Sequence, residues 1–306
     1  MSSQVIVSGM SAITPIGNGR EEFARGLREG RNGVAPIGGF DVSRHKVQRA
    51  AEVTWEAPEG SPYSRATEMA LAVTMDAIAD AKLELRSYDP TRVGVILASN
   101  QAGMLRTASE YRELSHPYRA AGVAAEQTTR ILDGAPTATL DLIMSRIGAA
   151  GPSLNISTAC SAGLHALGMA YHMVQRREVD VVVIVAVEVL TEPALAGFGV
   201  LRALTSGEGP RPFDRRRDGT ILGEGAAAMI VEPIHASRYR STRVWAEIAG
   251  YGSSTDAVHM TRPDSAGSVR AMREALGFTD ASEVDWIKAH GTGTPANDSA
   301  EAEAIH

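Results

Sequence analysis

The chain has 306 residues, of which 44% are hydrophobic and 22% charged, a composition that is typical of globular proteins and excludes disordered and fibrous ones. At ~150 residues per domain, its length predicts about two structural units. The formal net charge is −6 and the basic residues are scattered, so the sequence gives no sign of a nucleic-acid-binding surface.

Neither a membrane span nor a secretory signal is predicted. The longest strongly apolar run covers residues 181–187, well short of the ~18 residues that a transmembrane helix needs. The first residues lack a basic region followed by an apolar stretch. The chain has a single Cys, so no internal disulfide can form, which fits a reducing compartment. We therefore expect a cytoplasmic protein that does not associate with membranes.

The predicted elements begin as an alternation of strands and helices. In chain order they are a strand (residues 5–9), a helix (21–28), a helix (64–82) and a strand (92–97). Gly and Pro concentrate in residues 30–62, which we expect to be irregular apart from a short strand near residues 50–53. Residues 107–147 are predicted to be rich in helix and to cover one end of a sheet.

The middle of the chain predicts a β-α-β unit. A short strand over residues 154–157 is followed by a helix over residues 161–176 and a buried strand over residues 180–187. This crossover is too long for a hairpin, so the two strands should be parallel. A further strand is predicted over residues 225–231.

After Pro233 the pattern restarts more weakly. Strands are predicted over residues 244–250 and 284–289, with a helix over residues 268–276 between them. We interpret this as an internal duplication. It predicts an N-terminal unit of residues 1–232 and an incomplete second unit of residues 233–306.

The single cysteine lies where a buried strand turns into a helix, in the segment Ser-Thr-Ala-Cys-Ser-Ala-Gly that ends at Gly163. Backbone N–H groups and the positive end of the helix dipole favour the thiolate form of Cys160 at such a turn. The same N–H groups can stabilise the oxyanion formed from a thioester carbonyl. The alternative, a cysteine packed as a small apolar side chain, fits this position less well.

A second chemical feature is a strand end that carries His290 into a loop of alternating Gly and Thr, with Thr292 and Thr294. The two hydroxyls can face an amide-bearing ligand, or they can serve ordinary turn geometry. A third stretch, residues 211–219, is a charged turn that precedes a buried strand, and its predicted role is that of a scaffold.

Taken together, these stretches resemble the β-ketoacyl-acyl-carrier-protein synthases, or ketosynthases, of type II fatty-acid and polyketide assembly, which belong to the thiolase superfamily. The stretches that carry the resemblance are residues 7–18, 158–163, 197–204, 211–225 and 290–301. The resemblance implies a thiolase-like α/β fold, layered αβαβα, with two similar halves of which the second is incomplete here.

The resemblance also implies roles for individual residues. Cys160 matches the nucleophile that accepts an acyl group, and His290 matches the first of two histidines that promote malonyl decarboxylation. Thr292 and Thr294 match residues that hydrogen-bond the phosphopantetheine arm. Glu301 matches an acid behind the site that orders a lysine.

The implied partners follow from the same resemblance. Substrates arrive on the phosphopantetheine of an acyl carrier protein, with no separate cofactor and no metal. The chain is expected to form a homodimer, or a heterodimer with a ketosynthase-like subunit. Because carrier proteins are acidic, a basic docking face is expected. The candidates for that face are Arg44, Lys46, Arg49 and Arg65.

The chain departs from the family pattern at two points. The family's later segment, with that lysine, a second catalytic histidine and a Gly-rich loop, is not among the 306 residues. Thr220 stands where the family commonly has Phe. Three functions therefore stay open: a ketosynthase that condenses, an acyltransferase that does not condense, and a carrier-binding partner subunit. The activity of this chain alone is an open question.

Overall fold

The computed structural model describes residues 4–101, 135–259 and 262–306. The chain folds into two compact units that interleave along the sequence. The first unit comprises Met1–Gly33, Ala51–Ala194 and Gly223–Ile248, and the second comprises Val34–Ala50, Leu195–Leu222 and Ala249–His306. The predicted boundary between residues 232 and 233 divides the chain into two consecutive parts. Each of the two observed units contains segments from both of these parts.

Nine strands and eight α-helices lie in the described ranges. The strands are β1 (Val5–Thr14), β2 (Gly17–Asn18), β3 (Ala35–Pro36), β4 (Arg49–Ala50), β5 (Val93–Ala98), β6 (Ser153–Ile156), β7 (Val181–Glu188), β8 (Gly225–Pro233) and β9 (Ala246–Glu247). The helices are α1 (Arg20–Arg28), α2 (Arg65–Asp80), α3 (Pro136–Ile147), α4 (Ala162–Gln175), α5 (Glu192–Val200), α6 (Ile234–Tyr239), α7 (Ser265–Leu276) and α8 (Pro295–Ile305).

The first unit is built on one mixed sheet with the strand order β2-β1-β8-β7-β5-β6, to which β9 adds beside β1. Strand β5 is parallel to both β6 and β7, while β8 is antiparallel to β7 and to β1. The predicted β-α-β unit is confirmed: α4 joins β6 to β7 and crosses β5. The carboxyl ends of three parallel neighbours, β6, β5 and β7, therefore meet at one edge of the sheet.

The sheet of the first unit is covered by apolar side chains on both faces. One buried cluster includes Met69 and Val73 of α2, and the other includes Ala166 and Ala170 of α4. A Cβ atom on Gly9 of β1 would lie 2.3 Å from the Ala77 carbonyl oxygen, so glycine is what lets α2 approach this strand. Burial of these faces fixes the elements that carry the site.

Of the two strands predicted after residue 233, the first is confirmed in part and the second is wrong. Of residues 244–250 only β9 forms a ladder, and it pairs with β1 of the first sheet through Ile6 and Val7. Residues 284–289 form no strand, because the described part of the chain offers this segment no pairing neighbour. Its apolar side chains stay exposed, with Trp286 at 78%. The helix predicted over residues 268–276 is confirmed as α7.

The helix-rich prediction for residues 107–147 is confirmed over α3, and its remainder, up to residue 134, lies outside the described residues. Over the three described ranges, no helix has both the length and the apolar character that crossing a bilayer demands.

Candidate active site

Cys160 lies on an exposed turn between β6 and α4. A single 3-10 turn, Ala159–Ser161, joins the end of the strand to the helix. Ala159 has φ 52°, in the left-handed region that residues with a Cβ atom rarely adopt. The predicted strand-to-helix turn is confirmed. It presents the thiol to solvent rather than to an apolar core.

Asn100 contacts the turn from the end of β5. Its Oδ1 accepts hydrogen bonds from the Ala159 N–H at 2.9 Å and from the Ser157 hydroxyl at 3.0 Å. Its Nδ2 donates to the Ala159 carbonyl at 3.3 Å and to Glu188 Oε1 at 2.9 Å. The Asn100 backbone N–H also donates to Glu188 Oε1 at 2.5 Å. The peptide group before Cys160 is therefore tied to the ends of β5 and β7.

Side chains of the turn and of the first turn of α4 form a second group of contacts. The Ser161 hydroxyl donates to the Thr158 carbonyl at 2.7 Å, and Thr158 Oγ1 lies 3.1 Å from Nδ1 of His165. His165 Nδ1 is also 3.0 Å from the Ser161 carbonyl. These contacts hold the polar side chains of Thr158, Ser161 and His165 against the start of α4.

The loop of His290 is held by Glu301 of α8. The two Glu301 carboxylate oxygens accept from the His290 N–H at 2.6 Å and from the Gly291 N–H at 2.8 Å. Asn297 Nδ2 donates to the same carboxylate at 3.4 Å. Glu301 therefore fixes the backbone that carries the imidazole. Its predicted role in ordering a lysine stays a prediction.

Asp298 is buried behind the same loop, at 1% exposure. Its Oδ1 accepts from the Gly293 N–H at 3.1 Å, and its Oδ2 accepts from the Phe213 N–H at 2.6 Å. Arg217 Nε lies 3.9 Å from Oδ2, and the Arg217 guanidinium donates to Ser299 of α8 at 2.8 Å. These contacts fit the scaffold role predicted for the charged turn of residues 211–219.

The two threonines of the loop contact each other. Thr292 Oγ1 and Thr294 Oγ1 are 2.9 Å apart, and Thr294 Oγ1 accepts from the Asn297 N–H at the start of α8. Gly293 between them has φ 77°, and a Cβ atom there would lie 2.8 Å from the Gly219 carbonyl oxygen. Only glycine allows this close approach. Part of the Gly-Thr alternation is therefore turn chemistry, and ligand contacts by the two hydroxyls stay a prediction.

A cavity of about 540 Å³ lies in the second unit. Its lining includes the cationic side chains of Lys46 and Arg202, together with His45 and Asp218. Lys46 and Arg202 are both exposed. The cavity lining therefore carries two exposed cations and one exposed carboxylate, that of Asp218.

Arg65 is not available for docking, contrary to the sequence-based suggestion. Its guanidinium donates to Glu224 Oε1 at 2.9 Å and to the carbonyls of Val53 and Trp55 at 2.7 and 2.6 Å. The Glu224 side chain is 1% exposed and also accepts from the N–H groups of Val53 and Leu190. Arg65 is therefore a structural residue that neutralises a buried carboxylate.

The charged turn of residues 211–219 contains Asp214, whose pKa is clearly lowered. Hydrogen bonds from the side chain of Arg216, and then from its backbone N–H, lower the pKa of Asp214 to about 2. Asp214 is therefore ionised throughout the neutral range.

The predicted site residues belong to different units. Cys160 lies in the first unit, and His290, Thr292, Thr294 and Glu301 lie in the second. The structure brings the last four onto one loop and the helix that follows it. Within the described ranges, no group of His, Cys, Asp or Glu side chains has an arrangement that could hold a metal ion.

Sequence reasoning missed two parts of the site. Asn100 follows the apolar strand β5, and Glu188 is the last residue of β7. Polar residues at the carboxyl ends of parallel strands are the signal that could have found them. Asp298 lies within the stretch of residues 290–301 that carries the family resemblance, but no role of its own was predicted for it. Its position one turn before Glu301 on α8 is the corresponding signal for a second carboxylate facing the same loop.

The family of the chain follows from comparison with known proteins. The β-ketoacyl synthase N-terminal domain matches residues 2–236, and the β-ketoacyl synthase C-terminal domain matches residues 245–306. The chain belongs to the β-ketoacyl synthase family. One curated relative is 3-oxoacyl-[acyl-carrier-protein] synthase 2 of Synechocystis, which is 32% identical over 332 residues. That alignment covers 99% of this chain and 76% of the relative.

Solved ketosynthases share the fold. The ishigamide ketosynthase/chain length factor superposes with a TM-score of 0.90 at 28% identity, covering 100% of this chain and 77% of that chain. The AntDE:AntF complex, a type II PKS acyl-carrier protein with its ketosynthase bound to the hexaketide, gives a TM-score of 0.85 at 28% identity with the same coverages of 100% and 77%. The predicted thiolase-like α/β fold is confirmed.

Proposed function

We propose that this β-ketoacyl synthase family member accepts an acyl group on Cys160 and condenses it with malonyl-acyl-carrier protein in fatty-acid or polyketide elongation, in the cytoplasm. The observation that carries the proposal is the exposed Cys160 on the turn that begins α4. A thiol there is open to a large substrate, and the helix N-terminus favours negative charge on it.

The first step is a transfer between two thioesters. The Cys160 thiolate attacks the carbonyl carbon of the acyl-carrier thioester, the carrier's pantetheine thiolate leaves and takes up a proton, and the acyl group stays on Sγ. Backbone N–H groups of the turn are the natural donors to the oxyanion. Phosphopantetheine belongs to the carrier substrate, so the proposal needs no cofactor and no metal.

The second step forms the carbon–carbon bond. Malonyl-carrier loses CO₂, and the resulting enolate carbon attacks the Cys160 thioester and releases the thiolate. We propose that His290 stabilises the enolate oxygen and that Thr292 and Thr294 bind the amides of the pantetheine arm. The bidentate contact of Glu301 with the backbone of this loop supports the proposal, because catalytic donors must be held in place before the charge develops.

The rim of the second unit's cavity is the proposed docking site for the carrier protein. Lys46 and Arg202 present two cations beside a cavity of about 540 Å³, and an acidic carrier is complementary to them. Lys46→Glu and Arg202→Glu should each raise the apparent KM for the acyl carrier protein several-fold, and more so at low salt. Arg86→Glu, an exposed charge reversal in the first unit, is the control. Equal KM values for all three variants would refute this docking site.

A second ketosynthase-like chain is the proposed partner of the first unit. Among the strands that the structure describes, the sheet ends at β6, where Leu154 is 37% exposed, and Leu164 and Met169 of α4 are 69% and 41% exposed. An edge strand beside exposed apolar side chains is a surface that association would cover. This partner is a copy of the chain or a related subunit.

Two alternatives use the same site differently. An acyltransferase would load Cys160 without releasing CO₂. A partner subunit would bind the carrier with no covalent step at all, and the retained Cys160 argues against it. The solved ketosynthase/chain length factor shows that relatives of this fold include paired chains.

The experiment that separates these functions supplies acyl-carrier and then malonyl-carrier protein to the purified chain and to its Cys160→Ala variant. Release of CO₂ with a β-ketoacyl-carrier product, in the wild type only, supports the ketosynthase. An acylated chain without CO₂ release identifies the acyltransferase. Carrier binding that is equal in the two proteins, without acylation, identifies the partner subunit.

A further inference from the structure

The turn before Cys160 depends on a side chain outside its own segment. Ala159 is held at φ 52°, in the left-handed region that a Cβ atom disfavours. Such a conformation persists only where surrounding contacts over-determine it. In the described structure both polar groups of Ala159 are engaged by one side chain: Asn100 accepts from its N–H and donates to its carbonyl.

The fit between Asn100 and the two backbone polar groups of Ala159 is chemically specific. A side-chain amide offers one acceptor and one donor end, and these face the N–H and the carbonyl of Ala159 respectively. An ionised carboxyl group offers acceptors only, and a hydroxyl lacks the second arm. Among side chains of this length, only Asn makes both contacts.

Glu188 fixes which end of the amide faces which way. An ionised carboxylate can only accept hydrogen bonds, so the group 2.9 Å from Glu188 Oε1 must be the Nδ2 donor. The other end, Oδ1, is then directed at the Ala159 N–H and the Ser157 hydroxyl. The backbone N–H of Asn100 donates to the same Glu188 oxygen, which fixes the end of β5 as well.

We propose that Asn100, oriented by Glu188, is the positioning residue that holds the Ala159 backbone in its left-handed conformation and so sets the place and reactivity of the Cys160 thiol. The proposal rests on the proposed function for its biological meaning. What is tested below is only the reactivity of the Cys160 thiol, which can be measured whether or not the chain is a ketosynthase. Asn100 acts through its contacts with Ala159 and not through contact with the substrate.

The test uses alkylation by iodoacetamide, which needs neither carrier protein nor partner. The chain has a single Cys, so the total rate of alkylation reports on Cys160. Rates are measured from pH 6 to pH 10 for the wild type, Asn100→Asp, Glu188→Gln and the double variant, with a thermal melt of each. Asn18→Asp, the same chemical change at an exposed position, is the control.

Asn100→Asp places two carboxylates face to face and removes the donor to Ala159. We expect its alkylation at pH 7 to fall about tenfold, the equivalent of one hydrogen bond to a charged group, and the pH of half-maximal rate to rise. The double variant Asn100→Asp/Glu188→Gln has the wild-type net charge, and its new side-chain amide can donate to its new carboxylate. We expect its rate to return to within about threefold of the wild type. Glu188→Gln alone replaces an acceptor-only group by an amide that can also donate, so it no longer fixes the Asn100 amide and should react more slowly than the wild type. The Asn18→Asp control should stay close to the wild type.

Two results would overturn the proposal: wild-type reactivity of Asn100→Asp, or a double variant as slow as Asn100→Asp. If Asn100→Asp does not fold, Asn100→Ala decides the question, because it adds no charge and must still react about tenfold more slowly. A chain that takes no acyl group from a carrier thioester, yet shows the expected alkylation pattern, would refute the proposed function and leave this inference standing.

Discussion

Removing the carboxylate of Asp298 should destabilise the second unit strongly. At 1% exposure this side chain accepts from the N–H groups of Gly293 and Phe213 at 3.1 and 2.6 Å. Hydrogen bonds to charged groups contribute about 1.5–3 kcal/mol each, and Asp298→Ala leaves the buried Gly293 donor and the partly buried Phe213 donor without that acceptor, so we expect a loss of about 3–5 kcal/mol. That is a large part of the ~5–15 kcal/mol that stabilises a typical domain.

Urea unfolding followed by far-UV circular dichroism measures this loss. Asp298→Asn keeps one acceptor oxygen and should lose about half as much, whereas Asp285→Ala, at an exposed position of the same unit, should lose less than about 0.5 kcal/mol. Hydrogen exchange should accelerate in the peptide that contains residues 290–294, because the Gly293 N–H loses its acceptor. A loss below about 1 kcal/mol for Asp298→Ala would show that Asp298 does not hold the His290 loop.

Three further predictions concern charge and association. Arg65→Ala leaves the Glu224 carboxylate buried without its cation and should lower the free energy of unfolding in urea by about 3–5 kcal/mol. An unchanged midpoint would show that Arg65 has no structural role. The hydrogen bonds from Arg216 lower the pKa of Asp214 from 3.8 to about 2, so its contribution to stability is present above about pH 4 and is lost as the pH falls towards 2. Asp214→Asn should flatten the acid side of the stability profile in that window, and an unaltered profile would contradict the assignment. Leu164→Glu places a charge on the exposed face of α4 and should shift the native mass towards the single chain, whereas an unchanged assembly would place the interface elsewhere.

Much of the first unit could be predicted from sequence because its elements carry strong local signals. The apolar run of residues 181–187 has to be a buried strand, and the small residues before α4 favour a tight turn with a nucleophile on it. These signals lie within short segments, and the structure confirms β7, α4 and the turn at Cys160.

What sequence could not supply depends on pairing between distant residues. Asn100 and Glu188 are 88 positions apart, and only the strand order β7-β5-β6 brings them to the turn before Cys160. Arg65 looked like a surface cation because its carboxylate partner is 159 positions away. The extended pattern of residues 284–289 became no strand, since a ladder needs a neighbour as well as a propensity.

The most direct test of the central claim is the mass of the Cys160 peptide after incubation with an acyl-carrier-protein thioester. We predict an increase by the mass of the acyl group, confined to that peptide, sensitive to hydroxylamine as a thioester is, and absent from Cys160→Ala. An unmodified Cys160 peptide, from folded protein whose thiol still reacts with iodoacetamide, would show that the exposed cysteine is not an acyl acceptor.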